Sequence, residues 1–274
     1  MIAAVIVLVT AVVFLALIEP QKSEKDQYKK FAGVYYAHRG LYSKDQSVPE
    51  NSLAAFNLAC EAGYGIELDI RLTKDGRVAV FHDDSLMRAC GKDATVSELS
   101  YDELSQLSLF GTEQTIPLFS KVLHTVGGRV PLIVELKTSD NNAKELCEAA
   151  WKLLENYKGI YCIESFDPRA VAWFKKYHAN VYRGQLIASY KKLLKSTSRA
   201  SAFLLSHGMT NFMGRPHFIA HSDEKKTFPV SLCEWLGARK FVWTVSHIDS
   251  DYEIENDGVI FEFCSPKPKY YKEL

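Results

Sequence analysis

The stretch Gly65-Ile66-Glu67-Leu68-Asp69-Ile70 alternates acidic with apolar side chains. This alternation is typical of a strand, and because successive strand residues point to opposite faces, Glu67 and Asp69 share one face. Two carboxylates that face a low-dielectric interior cannot both ionise without a nearby cation. The stretch therefore predicts an interior strand with a metal-binding pair or, as for any isolated pair at this spacing, an exposed alternation on an edge strand.

Short runs rich in β-branched and aromatic residues recur along the chain, and amphipathic stretches separate many of them. The runs predict eight strands, at residues 35–38, 65–70, 78–82, 131–136, 161–165, 181–186, 217–220 and 241–246. The amphipathic stretches predict helices at residues 49–62, 117–126, 142–157, 168–178, 190–196 and 229–237. Eight strands in alternation with helices predict an α/β fold of the TIM-type (β/α)8 barrel class.

One barrel domain is expected for residues 33–274, because no internal linker in that range is long enough to divide it. Residues 83–116 break the alternation after the third predicted strand, and they predict a small insertion. Within it, Ser100 is a candidate cap for a short helix at residues 101–107. Residues 21–32 are polar and lysine-rich, which is typical of an exposed linker.

The first 18 residues carry no charged side chain and are rich in Val, Ile, Leu and Ala. About 20 such residues cross a bilayer as a helix, so residues 1–20 are predicted to form a retained transmembrane anchor that makes the membrane a partner. A cleaved signal peptide would begin with basic residues and end in a small-x-small site, and neither is present. Four lysines of the linker favour a cytoplasmic barrel over the opposite orientation; they are Lys22, Lys25, Lys29 and Lys30.

The composition excludes two other classes of protein. The 274 residues balance 33 basic against 33 acidic side chains, so the chain has no overall field to hold a polyanion, and no nucleic-acid partner is expected. Hydrophobic residues make up 47% of the chain, which is enough for a sizeable core and excludes disorder. The six cysteines contain no Cys-x-x-Cys pair and are expected to be reduced thiols.

Polar side chains recur where the predicted strands end, and in a parallel barrel these ends lie together. His38 and Arg39 end the first strand, and His82 ends the third. Glu135 and Lys137 end the fourth. We therefore expect these side chains to converge with the acidic pair of the second strand.

Each of these residue types suggests a chemical role and also has a structural alternative. Oxygen-only ligands, particularly with Glu135 as the third, favour Mg²⁺ or Ca²⁺ over zinc. His38 and His82 suit proton transfer near neutral pH, although a single histidine at a strand end is more often structural. Arg39 and Lys137 either bind an anionic oxygen or remain solvated rim charges.

The ordered set of motifs resembles the glycerophosphodiester phosphodiesterase family. The motifs, in chain order, are His38-Arg39-Gly40, Pro49-Glu50-Asn51-Ser52, Glu67-Leu68-Asp69, Thr73-Lys74-Asp75-Gly76, His82-Asp83, Glu135-Leu136-Lys137 and, more loosely, Trp243-Thr244-Val245. The resemblance covers about residues 33–265. It implies a TIM-type barrel that hydrolyses a phosphodiester to an alcohol and glycerol 3-phosphate with a divalent cation.

The resemblance also implies roles for individual residues. His38 and His82 match the acid–base pair, and the metal ligands match Glu67, Asp69 and Glu135. Arg39 and Lys137 match phosphate-contacting positions, and Glu50 matches a polar position at the margin of the site. Trp243 either lines the alcohol side of the pocket or packs in the core.

Two other functions stay open at this point. One is a lysophospholipase D-type phosphodiesterase that acts on membrane lysolipids. The other is a membrane-tethered binding barrel without catalysis, which the presence of both histidines, all three carboxylates and the lysine disfavours. The sequence leaves the route open between attack by water and a cyclic phosphate.

Overall fold

Nine strands form one sheet in the structure, a computed structural model that describes residues 1–139, 141–248 and 250–269. They are β1 (Val34–Ala37), β2 (Gly65–Leu72), β3 (Val78–Val80), β4 (Leu132–Leu136), β5 (Tyr161–Ser165), β6 (Arg183–Ile187), β7 (Phe218–Ser222), β8 (Arg239–Val245) and β9 (Gly258–Phe261). All except β3 pair in parallel, and β1 pairs with both β9 and β2, which closes an eight-stranded barrel. The predicted TIM-type fold is confirmed.

Two of the strand predictions need correction. β3 runs antiparallel to β2, with Ile70 opposite Val80, so the predicted third barrel strand (78–82) is the return arm of a hairpin outside the closed ring. The eighth barrel strand is β9, which the sequence pattern does not reveal. Because β9 has only four residues and begins with Gly258 directly after Asp257, its apolar run is too short to stand out.

Aromatic rings fill part of the barrel interior, each beside a glycine of the neighbouring strand. The aligned pairs are Tyr36 with Gly65, Phe218 with Gly184, and Phe241 with Gly258. A Cβ atom on Gly184 would lie 2.1 Å from the Phe218 ring, and one on Gly258 would lie 2.3 Å from the Phe241 ring. These glycines therefore make room for the rings, and the barrel is a packed core at this level.

The helices of the described residues include all six that the amphipathic pattern predicts, with shorter bounds. They are α1 (Ile2–Ile18), α2 (Lys25–Tyr28), α3 (Leu53–Ala62), α4 (Met87–Cys90), α5 (Tyr101–Leu104), α6 (Phe119–Val126), α7 (Ala143–Leu154), α8 (Pro168–Tyr177), α9 (Tyr190–Leu193), α10 (Arg199–Ser206), α11 (Asn211–Gly214), α12 (Phe228–Trp235) and α13 (Ser250–Glu255). The sequence pattern missed α2, which lies in the predicted linker, and also α4, α10, α11 and α13, each of eight residues or fewer. Short helices offer little periodicity to detect.

The segment predicted as an insertion, residues 83–116, lies between β3 and α6 and packs around its own apolar cluster. Leu86, Val96, Leu104 and Ile116 are buried in that cluster. The Ser100 side chain accepts a hydrogen bond from the backbone N–H of Glu103, so it caps α5 as predicted. The segment therefore has a core separate from that of the barrel.

Helix α1 covers 17 residues, and the Ile18 side chain at its end is buried beside Ile219 and Val230. In the described ranges, no helix combines the length and the apolar character that crossing a bilayer requires. The transmembrane anchor predicted for residues 1–20 is therefore not supported. The cytoplasmic placement of the barrel is untested and stays a prediction.

The chain that follows β9 returns to the start of β1 and pairs with its backbone there. Val34 forms an antiparallel bridge with Lys269, and the backbone N–H of Tyr35 donates to the carbonyl oxygen of Pro268 at 3.1 Å. The described end of the barrel thus lies beside its beginning. The last residues of the predicted domain, 270–274, lie outside the described residues.

Candidate active site

Three buried carboxylates meet at the carboxyl end of the barrel strands. Glu67 and Asp69 lie on β2 and Glu135 lies on β4, where the register places Asp69 directly beside Glu135. One oxygen atom of each side chain lies within 4.8 Å of the others, a spacing that a single metal ion can bridge. Because the three residues are at most 7% exposed, the alternative of an exposed edge strand is wrong.

Two cations lie against this acidic cluster. Lys137 Nζ is 3.2 Å from Asp69 Oδ1 and 2.8 Å from Glu135 Oε1, and Arg39 Nε is 3.5 Å from Asp69 Oδ2. Burial would raise the pKa of Asp69, but Lys137 and the other positive charges hold that pKa well below its usual range. Burial and then the charges of Asp69 and Glu135 raise the pKa of Glu67.

The charge balance and the donor atoms of the cluster fit a divalent cation. With all four buried carboxyl groups ionised, as they would be around a bound cation, two cationic side chains leave two negative charges; the carboxylates are Glu67, Asp69, Glu135 and Glu164, and the cations are Arg39 and Lys137. All the donor atoms are oxygens, the ligand type that Mg²⁺ and Ca²⁺ prefer. The acidic cluster could therefore hold such an ion.

His38 follows β1 and reaches the cluster from one side. Its Nε2 is 4.0 Å from Glu67 Oε2, and its Nδ1 is 3.0 Å from Glu262 Oε2. Tyr42 donates its hydroxyl hydrogen to the same Glu262 oxygen at 2.9 Å. Burial lowers the pKa of His38, and the Glu262 carboxylate opposes that shift. Glu262 thus fixes the ring so that Nε2 faces the cluster.

His82 reaches the same cavity from the hairpin arm that follows β3. Its Nδ1 is 2.6 Å from Asp83 Oδ1, and Arg88 Nε of α4 is 2.6 Å from Asp83 Oδ2. Burial would raise the pKa of Asp83, but the hydrogen bonds from His82 and Arg88 place it far below its usual range. Each predicted catalytic histidine therefore has a carboxylate on Nδ1.

Arg39 connects the acidic cluster to two further charged side chains, Glu50 and Arg88, on the side away from the cavity. Its backbone N–H donates to Glu67 Oε2 at 2.9 Å from a left-handed conformation, with φ of 54°. Its Nη1 donates to Glu50 Oε1 at 2.8 Å, and Arg88 Nη2 lies 2.6 Å from the same oxygen. Glu50 therefore lies behind Arg39, where it binds two guanidinium groups and does not line the cavity.

A cavity of about 900 Å³ opens above the cluster. Its inner end is polar and contains both histidines, Glu67, Glu135 and Lys137. Its outer end combines the apolar side chains of Leu193 on α9 and of Leu204 and Leu205 on α10 with polar ones, which include Lys192, Ser196 and Ser201. Trp243 lines that end, with its ring 5.6 Å from the Phe166 ring and its Nε1 donating to the carbonyl oxygen of Ala220. Trp243 thus lines the cavity and also packs against the protein interior, so both predicted alternatives apply.

Several polar residues of the site were not assigned from the sequence. Asn51 donates to Asp69 Oδ2 at 2.8 Å, and its signal was present in the motif that also contains Glu50. Glu262 was missed because it follows β9, the strand that the pattern did not reveal. Glu164 is on β5 beside Glu135, and a lone acid in a short run gives no signal of its own.

A parallel barrel with an acidic cluster, two histidines and two cations at the carboxyl ends of its strands defines a barrel enzyme that acts on an anionic substrate. Residues 38–264 match the sequence profile of the glycerophosphoryl diester phosphodiesterase family. The chain belongs to that family. The resemblance is therefore confirmed, as is the assignment to the phosphoric diester hydrolases.

Individual relatives agree with this assignment. A glycerophosphodiester phosphodiesterase of Caldanaerobacter subterraneus subsp. tengcongensis is 36% identical over 81% of this chain and 90% of that protein. One of Bacillus altitudinis is 35% identical over 52% of this chain, which spans only 61% of that relative's length. An Oleispira antarctica phosphodiesterase in complex with the product sn-glycerol-3-phosphate has a TM-score of 0.68 at 23% identity, covering 85% of this chain and 94% of that one. This structural likeness supports the fold.

Proposed function

We propose that the protein hydrolyses glycerophosphodiesters to an alcohol and glycerol 3-phosphate, with a divalent cation and two histidines. The single observation that carries this proposal is that both histidines, the acidic cluster, Arg39 and Lys137 converge on one cavity. Glu67, Asp69 and Glu135 would hold Mg²⁺ or Ca²⁺. When bound, the ion would supply positive charge that stabilises the phosphoryl oxygens.

The side chains of the chain supply the other parts of the reaction. Arg39 and Lys137 bind the anionic phosphate and neutralise the charge that grows on its oxygens. Of His38 and His82, one accepts the proton of the attacking hydroxyl or water and the other protonates the departing alcohol oxygen. Glu262 and Asp83 hold the two rings in position through Nδ1.

A metal series tests the cation part of the proposal. We expect the purified protein to release glycerol 3-phosphate from glycerophosphoethanolamine with Mg²⁺ or Ca²⁺ and to lose this activity in excess EDTA. Glu67→Gln should need a higher metal concentration for half-maximal rate, whereas Glu113→Gln, an exposed acid of the insertion, should behave as wild type. Equal turnover in EDTA would contradict metal dependence, and no turnover with any metal would favour the binding barrel.

We propose lysophospholipids as a second substrate class, because three leucine side chains line part of the outer end of the cavity. Leu193, Leu204 and Leu205 offer a surface on which an acyl chain could pack next to the reacting phosphate. Leu204 is 42% exposed, so it is accessible to a lipid.

The acyl chain hypothesis can be tested with one pair of substrates. We expect Leu204→Glu to slow ethanolamine release from lysophosphatidylethanolamine about tenfold and to leave glycerophosphoethanolamine turnover unchanged, because only the first substrate has a chain. Leu58→Glu, at a leucine of α3 with 39% exposure, is the matched control. Equal effects of Leu204→Glu on both substrates would contradict a role in binding the chain.

A further inference from the structure

Glu164 is a buried acid of the cavity that the reaction described above does not use. It lies on β5, lines the cavity and is 1% exposed. Its Oε2 is buried and has no hydrogen-bond donor within residues 1–139, 141–248 and 250–269. A buried carboxylate oxygen without a partner costs free energy, which a ligand that supplies a donor would recover.

The neighbours of Glu164 show why its oxygen has no partner. The register aligns Asp69, Glu135 and Glu164 side by side across β2, β4 and β5, so one flank of Glu164 is another acid. On the opposite flank the aligned residue of β6 is Gly184, which has no side chain. Lys137, a cation of the same cavity, lies against Asp69 and Glu135.

The chemistry of the substrate indicates which group meets Glu164. Its phosphate is anionic and is repelled by a carboxylate, whereas the free hydroxyl groups of its glycerol moiety are neutral. A hydroxyl both donates and accepts, so it can pair with the Glu164 carboxyl group whether or not that group holds a proton. Because Glu164 lines the cavity, such a group would reach it from the cavity.

We propose that Glu164 binds a free hydroxyl group of the glycerol moiety and is thereby a specificity-determining residue of this site. This inference rests on the proposed function for the identity of the substrate. A site that pairs a buried polar group with a substrate hydroxyl rejects analogues that lack it, because the group is then left without a partner.

A cycle of two substrates and two variants tests this proposal. The substrates are glycerophosphoethanolamine and propyl phosphoethanolamine, which lacks both free glycerol hydroxyls. We expect the wild type to prefer the glycerol diester in kcat/KM by about 10- to 100-fold. Glu164→Leu should remove most of that preference by slowing the glycerol diester alone. Glu164→Gln, which keeps an acceptor and a donor, should retain part of it, and Glu145→Leu, at an exposed acid of α7, should change nothing.

Other roles for Glu164 predict different results. A fourth metal ligand would raise the metal concentration needed with both diesters, and a merely structural residue would lower both rates equally; either result would overturn the proposal. Should the wild type hydrolyse neither diester, the proposed function fails, and calorimetric binding of glycerol 3-phosphate against propyl phosphate still decides the inference. We then expect the wild type to bind glycerol 3-phosphate more tightly and Glu164→Leu to bind both equally; equal binding by the wild type would overturn it.

Discussion

His38 and His82 share one arrangement although they come from distant parts of the chain. Each ring has a carboxylate on Nδ1, Glu262 for His38 and Asp83 for His82, and each ring lines the cavity. A carboxylate on Nδ1 selects the tautomer and the direction of Nε2, which is the atom left to exchange a proton with a substrate. This arrangement agrees with the proposed roles of the two histidines as proton acceptor and proton donor.

This arrangement predicts the effect of removing either ring. His38→Ala and His82→Ala should each lower kcat by about two to four orders of magnitude, because a proton-transfer group is lost, with little change in the metal concentration needed. Steady-state kinetics over a Mg²⁺ series measure both quantities. His124→Ala, at an exposed histidine of α6, serves as the control. A large change in metal requirement would instead make the histidines part of the ion site.

At the level of residues, the sequence could predict which side chains converge but not what supports them. Glu67, Asp69 and Glu135 are recognisable because strand periodicity and strand ends determine where side chains point. Glu262 and Arg88 are not, because the contact of Glu262 with His38 and that of Arg88 with Glu50 join segments far apart in the chain. Such contacts depend on the closed barrel and the packed insertion, which local patterns do not encode.

The insertion contributes to the site through one element, helix α4. Arg88 of that helix contacts Asp83, which orients His82, and Glu50, which binds Arg39. A single guanidinium group thus connects the supports of His82 and Arg39, which are the proposed catalytic histidine and the proposed phosphate-binding arginine. Neither contact brings Arg88 itself into the cavity.

We expect Arg88→Met to lower kcat roughly tenfold, because supporting contacts of this kind are worth about that much and His82 loses its fixed partner. Arg88→Lys should restore part of the rate, since one charge contact can form again. Arg77→Met removes the ion pair between Arg77, in the turn from β2 to β3, and Asp102 of the insertion, and should have no effect. If both arginine variants lost activity alike, the cause would be general loosening of the insertion.

Element boundaries show where the sequence pattern succeeds and where it fails. β5 has the predicted bounds, since Tyr161–Ser165 is a clear apolar run. β3 was predicted as a barrel strand because its three apolar residues give no information on direction. Direction and closure depend on hydrogen bonding between strands, so β9 and the exclusion of β3 become evident only in three dimensions.

Among the described residues, two buried histidines lie outside the catalytic cavity. Burial, followed by the charge of Arg183, lowers the pKa of His217 to about 3. Burial, followed by the charge of Lys226, lowers the pKa of His221 to about 4. In the unfolded chain both would titrate near 6.5. Below that pH the unfolded state binds more protons, so these residues stabilise the fold above about pH 6.5 and lose that contribution as the pH falls.

We expect His217→Asn to make the free energy of unfolding fall less steeply between pH 6.5 and 4.5 than in the wild type. In the wild type, the backbone N–H of Arg183 donates a hydrogen bond to His217 Nδ1 at 3.3 Å. Asparagine offers an acceptor for the same N–H but does not titrate. Each histidine contributes a slope of at most about 1.4 kcal/mol per pH unit. Urea unfolding at a series of pH values measures the free energy of unfolding and therefore this slope. Because buried carboxyl groups such as Glu67 titrate with the opposite sign, only the difference between the two proteins reports on the histidine, and identical slopes would contradict the prediction.

The bridge between Val34 and Lys269 brings the two extremities of the catalytic domain within reach of a short peptide. A circularly permuted gene could therefore join them and open the polypeptide elsewhere, for example at the surface turn around Gly91. β1 begins at the end of the barrel opposite the cavity. A fusion partner or a solid support attached there would therefore leave the entrance to the cavity unobstructed.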